Sequence, residues 1–182
     1  PKPLRSLAHP EGIPLPDGTL PTAVTRANAI ATHAIAIANA CAAHDGRFIF
    51  ENPVSRDGNS QFHIPGREDH ASLWKLPAMA EFAQRHGNHT VHFDQCRTGA
   101  ATQKTTTLLC SPNVVEQVRA EVGHLVCNHP AGTHASIVGG ADGELKTKAA
   151  EVFTSDLNRR LANAFLAPHR TATNSTNGAS WL

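Results

Sequence analysis

"GRFIFENP", residues 46–53, is the stretch on which the reading of the fold turns. Gly46 opens it as a turn residue, Phe48, Ile49 and Phe50 make a short apolar run, and Glu51, Asn52 and Pro53 end it. A brief aromatic and β-branched run between Gly and Pro predicts a buried strand over 47–51. Just before it, Ala23, Ala27, Ile30, Ala34, Ile37 and Cys41 recur at spacings of four and three, one stripe of a helix over 22–43. Arg26, Thr32 and Asn39 lie off that stripe, and its alanines let the helix approach another surface closely. Asp45-Gly46 stops the helix. Helix, tight turn and strand together predict half of a parallel α/β unit. They also place the Glu51 carboxylate at the carboxyl end of a strand, where open α/β sheets hold ligands.

Downstream, residues 52–70 are polar and rich in Gly and Pro, which predicts a long surface loop. "ASLWKLP" (71–77) leads through Pro77, acceptable in a first helical turn, into a short helix with Met79, Phe82 and His86 along one side. Gly87-Asn88 closes it. "HTVHFDQC" (89–96) and the Thr-rich "KTTTLLC" (104–110) are the second and third strand candidates. Ser111-Pro112 pairs an N-cap residue with proline and predicts a helix start there, with Val115, Val118 and Val122 inward and Gly123 at the end. A last helix runs through Leu157, Leu161 and Ala164, capped by Thr154 or Ser155 and stopped by Pro168.

Composition bounds the function classes. The 182 residues suit one domain with a real core. A net charge of +1 with 5% aromatic residues argues against a broad phosphate-binding face or a base-stacking platform. No apolar segment approaches the roughly 20 residues of a membrane span, and the opening "PKPLRSLAHPEGIPLPDG" has no signal-type apolar core. Four cysteines (Cys41, Cys96, Cys110, Cys127) are too few for a disulfide scaffold and predict reduced thiols in an intracellular setting, cytoplasmic or nuclear.

The residues also resemble a family. "FIFENP" resembles the ENV/ENP segment of DNA (cytosine-5) methyltransferases, "KPLRSLAHPEGIPLP" the loop after their Pro-Cys nucleophile, and "SLWKLP" a segment of the same branch. "VHFDQCRTGAATQKTTTLL" is similar to the family's later strand–turn–strand motif, so the resemblance covers about residues 1–110. It implies an α/β fold with a partial Rossmann-like methyltransferase sheet, about three strands with flanking helices, followed by an irregular Cys/His-rich region. It implies that Glu51 accepts the exocyclic amine of a flipped cytosine and shares a proton with N3, making C6 electrophilic. By the same resemblance Lys104 supplies a supporting cation, Asn52 and Pro53 set the turn beside the base, and Gly99 is the turn glycine. Ala101, Thr102, Lys104 and Thr106 depart from the family's Pro, Gln, Arg and Arg, and lysine lacks arginine's planar fork. No Phe-x-Gly-x-Gly loop and no Pro-Cys dipeptide occurs; the cysteines follow Ala40, Gln95, Leu109 and Val126. The S-adenosylmethionine site and the nucleophile are therefore expected in a missing N-terminal half, with the Pro-rich opening as the point of truncation.

"CNHPAGTH" (127–134) sets Cys127, His129 and His134 at Cys-x-His-x4-His spacing, with Cys96 or Cys110 as a fourth ligand at a strand end. Four such ligands suit tetrahedral zinc, and a metal would order a Gly-rich loop with little apolar content. Because "FDQC" followed by Cys-x-His also resembles methyltransferase-like proteins of mobile elements, Cys96 is the expected fourth ligand. Asp94 is a second strand-tip acid. The expected organisation is a Pro-rich loop (1–21), a partial α/β domain (22–122), a Cys/His/Gly-rich segment (123–145), a helix (146–167) and a disordered tail (168–182). Two functions follow as expectations: the base-positioning C-terminal portion of a cytosine-5-methyltransferase-like enzyme, acting on DNA and inactive alone, or a zinc-stabilised, non-catalytic binding module of a mobile-element protein.

Overall fold

The computed structural model describes residues 4–130, 132–135, 140–141, 144–145 and 152–168. The expected tail, from residue 169 on, and parts of the Gly-rich segment lie outside the described residues. Helix α1 (Thr22–Ala42) leads to β1 (Ile49–Pro53), and a 3-10 turn (Leu73–Lys75) runs into α2 (Pro77–Arg85). Strands β2 (Thr90–Asp94) and β3 (Thr105–Cys110) are joined through a second 3-10 turn (Gln95–Thr98). Helix α3 (Val115–Val122), a two-residue ribbon of β4 (Gly140–Ala141) and β5 (Glu144–Leu145), and α4 (Ser155–Leu166) complete the chain.

The main sheet has the order β1-β3-β2, and both contacts are antiparallel. This corrects the parallel expectation. After β2 the chain turns back through Gln95–Thr98 and Gly99, whose φ of +93° ends the 3-10 turn in the left-handed region, so β3 re-enters between its predecessors. A return this short can only pair antiparallel, because a parallel neighbour needs a crossover of a dozen or more residues. The two outer strands still run in the same direction as each other. The carboxyl ends of β1 and β2 therefore share one rim of the sheet.

Register sorts the side chains onto two faces. Ile49 and Glu51 lie opposite Cys110 and Leu108, Val91 and Phe93 opposite Leu108 and Thr106. On this face α3 and α4 pack, with Val114, Val115, Val118, Val122, Leu157 and Ala164 buried. The other face carries Phe50 and Leu109, covered by α2 and the second half of α1 through Ala38, Met79 and Phe82. Phe48, Phe50, Phe82 and His86 form an edge-to-face and tilted cluster with ring centroids 4.6–6.0 Å apart.

Several boundaries differ from the sequence expectation. β1 begins at Ile49 and runs on through Asn52 and Pro53, which pair with Thr107 and Thr106 instead of forming a turn. Ser111 does not cap α3. Its hydroxyl accepts from the Phe48 amide at 3.1 Å and donates to Asn113 at 2.7 Å, so the helix starts only at Val115. Helix α1 buries Val24, Ala31 and Ala38 rather than the stripe through Ile30 and Ile37, which are 59% and 71% exposed. Its first half is engaged by the opening loop: Asn28 accepts from Arg5 at 2.5 Å and donates to the Glu11 carbonyl at 2.8 Å, and a Cβ at Gly12 would meet Val24 at 2.6 Å. That loop face and the alternating register, not hydrophobicity alone, decide which side of α1 turns inward. Helix α4 is capped as expected: the Thr154 hydroxyl accepts from the Leu157 amide at 3.2 Å. Among the described residues no helix is long and apolar enough to cross a membrane.

The long loop after β1 is built around a buried carboxylate rather than lying loose on the surface. Asp57 is fully buried, accepts from the Ser55 hydroxyl at 2.5 Å and the Asn59 amide at 3.0 Å, and faces the Lys75 ammonium at 3.4 Å. Desolvation pushes its pKa up, but the bonds from Ser55 and Asn59 and the Lys75 charge outweigh it and leave the carboxyl below the ordinary range. A depressed folded pKa stabilises above the unfolded value, and that stabilisation is lost as pH falls through the folded one. Asp57→Asn is expected to cost about 1–3 kcal/mol at pH 7, and the gap to the unsubstituted chain should narrow toward pH 3. Urea unfolding at the two pH values measures this; a gap independent of pH would contradict the assignment.

Candidate metal centre

Four side chains from two segments converge beyond the end of β2. The ligand atoms of Cys96, Cys127, His129 and His134 all lie within 4.8 Å of one another. Cys127 Sγ is 3.5 Å from His129 Nδ1 and 3.2 Å from His134 Nε2. With Zn–S about 2.3 Å and Zn–N about 2.0–2.1 Å, a tetrahedral site places sulfur and nitrogen about 3.5 Å apart. The observed spacings match that edge. The rings of His129 and His134 stand nearly perpendicular, at 86° with centroids 5.0 Å apart, so each can aim one nitrogen at a common point. Two thiols and two imidazoles form a closed four-ligand set of the structural type, and the group could hold a metal such as zinc.

Local folding explains why these residues meet. Cys96 sits in the 3-10 turn that ends β2 and is buried, while the other three come from the loop after α3. Leu125 is buried in the core, and its carbonyl accepts from the Asp94 amide at 2.8 Å. Two residues on, the Cys127 amide donates to Asp94 Oδ2 at 2.7 Å, while Asp94 Oδ1 accepts from the Thr105 hydroxyl at 2.5 Å. At its far end the loop returns to the turn, where the Ala135 amide donates to the Ala101 carbonyl at 3.1 Å. Arg97 and Asn128 hydrogen-bond across the two segments. Asp94 thus holds the ligand loop against the sheet. The other strand-end thiol, Cys110, is fully buried in the core and outside the group.

Burial pushes the Cys96 thiol up to about 11, with the neighbouring Cys127 thiol adding to the rise. A cation reverses that preference, because a coordinating thiol gives up its proton.

Two of the residues implied by the family resemblance, Glu51 and Lys104, form a second cluster, and Glu51 is the middle residue of β1 rather than its carboxyl end as expected. Glu51 Oε1 is 3.2 Å from Lys104 Nζ, and the Gln95 side-chain amide donates to it at 3.4 Å. Gln95 also donates to the Thr106 hydroxyl at 3.0 Å, and its backbone amide donates to the Lys104 carbonyl at 3.1 Å. The structure therefore brings Glu51 and Lys104 together, with Gln95 as a third member that spacing alone did not single out. Asn52 lies on the opposite face and Pro53 continues the strand; the Pro53 carbonyl accepts from the Trp74 indole at 2.9 Å. Gly99 serves the turn, and an added Cβ there would meet nothing within 4 Å. Asp94 is not a partner of Glu51, since its carboxylate is taken by Thr105 and Cys127.

A cavity of about 430 Å³ lies on the α2 side of the sheet, with Thr107 and Leu109 in its floor. Glu51 points to the other face. Compared with family models, curated proteins and solved structures, the chain matches none.

Cobalt titration of the metal-free chain is expected to saturate at one ion, with the visible absorption of a tetrahedral thiolate site. Cys127→Ser should weaken binding by more than the about tenfold expected at least for Asp94→Asn, which loosens only the support. Cys110→Ser should leave the spectrum unchanged. A spectrum lost in the Cys110 variant and kept in the Cys96 variant would reverse the ligand assignment.

Proposed function

We propose that this chain is a zinc-stabilised binding module, of the non-catalytic kind expected for a mobile-element protein. The convergence of Cys96, Cys127, His129 and His134 carries the reading. Bound zinc would supply cross-linking rather than chemistry: four protein ligands leave no position for water or substrate. The ligands join the end of β2 to the loop after α3, a segment whose own contribution to the core is Leu125. Much of the order of that loop then rests on the metal, as in small domains whose metal-binding energy is folding energy.

A second reading is favoured by one observation, the meeting of Glu51, in the middle of β1, with Lys104, in the turn that leads into β3. In it the chain is the base-positioning portion of a cytosine-5-methyltransferase-like enzyme. DNA is the substrate, and S-adenosylmethionine and the thiolate come from an N-terminal half. Glu51 would then exchange Lys104 and Gln95 for the Watson–Crick edge of a cytosine. The existing ion pair supports the binding-module reading more directly, because it already satisfies the carboxylate in the absence of substrate.

Two measurements separate the readings. Elemental analysis of the purified chain is expected to give one zinc per molecule, and chelation should lower the melting temperature and free the loop to proteolysis. A folded chain that melts identically with and without metal would remove the first reading. Incubation with DNA and labelled S-adenosylmethionine is expected to give no methyl incorporation by this chain alone. In a longer chain carrying the upstream half, incorporation abolished by Glu51→Gln would establish the second reading.

A further inference from the structure

The cavity on the α2 side of the sheet is independent of the metal centre and shares no residue with it. Its volume, about 430 Å³, lies in the range of small-molecule sites. Two aromatic side chains, Trp74 and Phe62, line it. Trp74 is held in place by the hydrogen bond from its indole N–H to the Pro53 carbonyl at 2.9 Å. Phe62 stands edge-on to His92, with ring centroids 5.1 Å apart and planes at 63°. Leu109, fully buried, supplies an apolar floor.

The polar groups, eight of the fourteen lining residues, are hydroxyls, amides and one imidazole. His92 Nδ1 lies 3.0 Å from the Thr107 hydroxyl, and among the described residues Nε2 makes no hydrogen bond. Burial lowers the pKa of the imidazole, which keeps it neutral at pH 7. The side-chain amides of Gln84 and Asn88 edge the solvent side. Among the described residues no Asp, Glu, Lys or Arg lines the cavity. A charged ligand would find no counter-ion there and would carry an uncompensated desolvation cost.

Held walls matter as much as polarity. The Phe62 wall belongs to the loop organised by Asp57, where the Ser60 hydroxyl donates to the Ser55 carbonyl at 2.5 Å and accepts from the Phe62 amide at 3.0 Å. Ligand-facing aromatics fixed in this way lose little entropy when a ring enters between them.

We propose that this cavity binds a neutral, planar heteroaromatic ring with hydrogen-bonding edges, the chemistry of an unphosphorylated nucleoside, between Trp74 and Phe62 and against His92. The proposal goes beyond the zinc-module reading, and either can fail without the other. Trp181 is the only other tryptophan, so Trp181→Phe leaves Trp74 as the sole indole reporter. Titrating that zinc-analysed chain with adenosine, cytidine, guanosine and uridine is expected to give a saturable fluorescence change with at least one of them. The matching 5′-monophosphate should bind more weakly, and single-stranded DNA should give no tighter response than the nucleoside. Ala80→Phe, at an exposed cavity-lining position on α2, should abolish the change while leaving the melting temperature as it was. His92→Phe keeps the ring and should weaken binding about tenfold, the equivalent of one lost hydrogen bond. No saturable response with any nucleoside at millimolar concentration would overturn the proposal. So would tighter binding of the monophosphates or of DNA, or undiminished binding by the folded Ala80 variant.

Discussion

Strand β3 holds this structure together through the alternation of its side chains. Leu108, Leu109 and Cys110 are fully buried, and Thr106 with them. Because successive residues point to opposite faces, Leu108 belongs to the core under α3 and α4 and Leu109 to the core under α1 and α2. Both outer strands are paired to this one. A one-residue slip of β3 would exchange the two faces at once and drive Thr107 into a position shaped for leucine. Everything that bears on function is placed by that register: Glu51 opposite Leu108, His92 opposite Thr107, and Asp94 opposite Thr105.

The turn between β2 and β3 connects the two clusters. Within two consecutive residues, Gln95 reaches toward Glu51 and Thr106 while Cys96 joins the ligand group. Thr98 closes the same turn through its hydroxyl to the Gln95 carbonyl at 2.8 Å and receives the Thr154 hydroxyl at 3.0 Å. Fixing Cys96 therefore restrains the segment that supplies both neighbours of the Glu51 carboxylate. The Cys/His group and the acid are separate in chemistry and joined in mechanics.

The helices and strands were legible in the sequence because their signals are local. Phe48–Phe50, the Thr-rich run before Cys110 and the valine spacing in α3 each announce an element within a few residues. Strand direction was not legible, since it depends on how far the chain travels before it returns, and a ten-residue turn reads like any loop. The inward face of α1 was misread for a related reason: two stripes of small apolar residues lie side by side, and only the packing of Arg5 and Gly12 against Asn28 and Val24 selects one. Three members of the Cys/His group, Cys127, His129 and His134, were legible from their spacing in a Gly-rich loop, whereas spacing left Cys96 and Cys110 equal as the fourth and only the family resemblance favoured Cys96. Gln95 and the pocket around Trp74 were not legible, as amides and isolated aromatics have no periodic signature.

Helix α4 is secured at both ends to distant parts of the chain. Thr154 at its start meets Thr98, and Arg47 donates from one guanidinium nitrogen to the carbonyls of Phe165 and Ala167 at its end. Domains emerge from the ribosome amino end first, so the α1/α2 side can close once Cys110 is clear. The opposite face of the same three strands waits a little longer for its cover, α3, and that cover is itself backed only when α4, with Leu157 and Ala164, has been translated. Synthesis imposes an order on this fold: a half-sandwich precedes the finished one, and a nascent chain halted after α3 would display the α3 surface that Leu157 and Ala164 later cover to whatever chaperone stands at the exit.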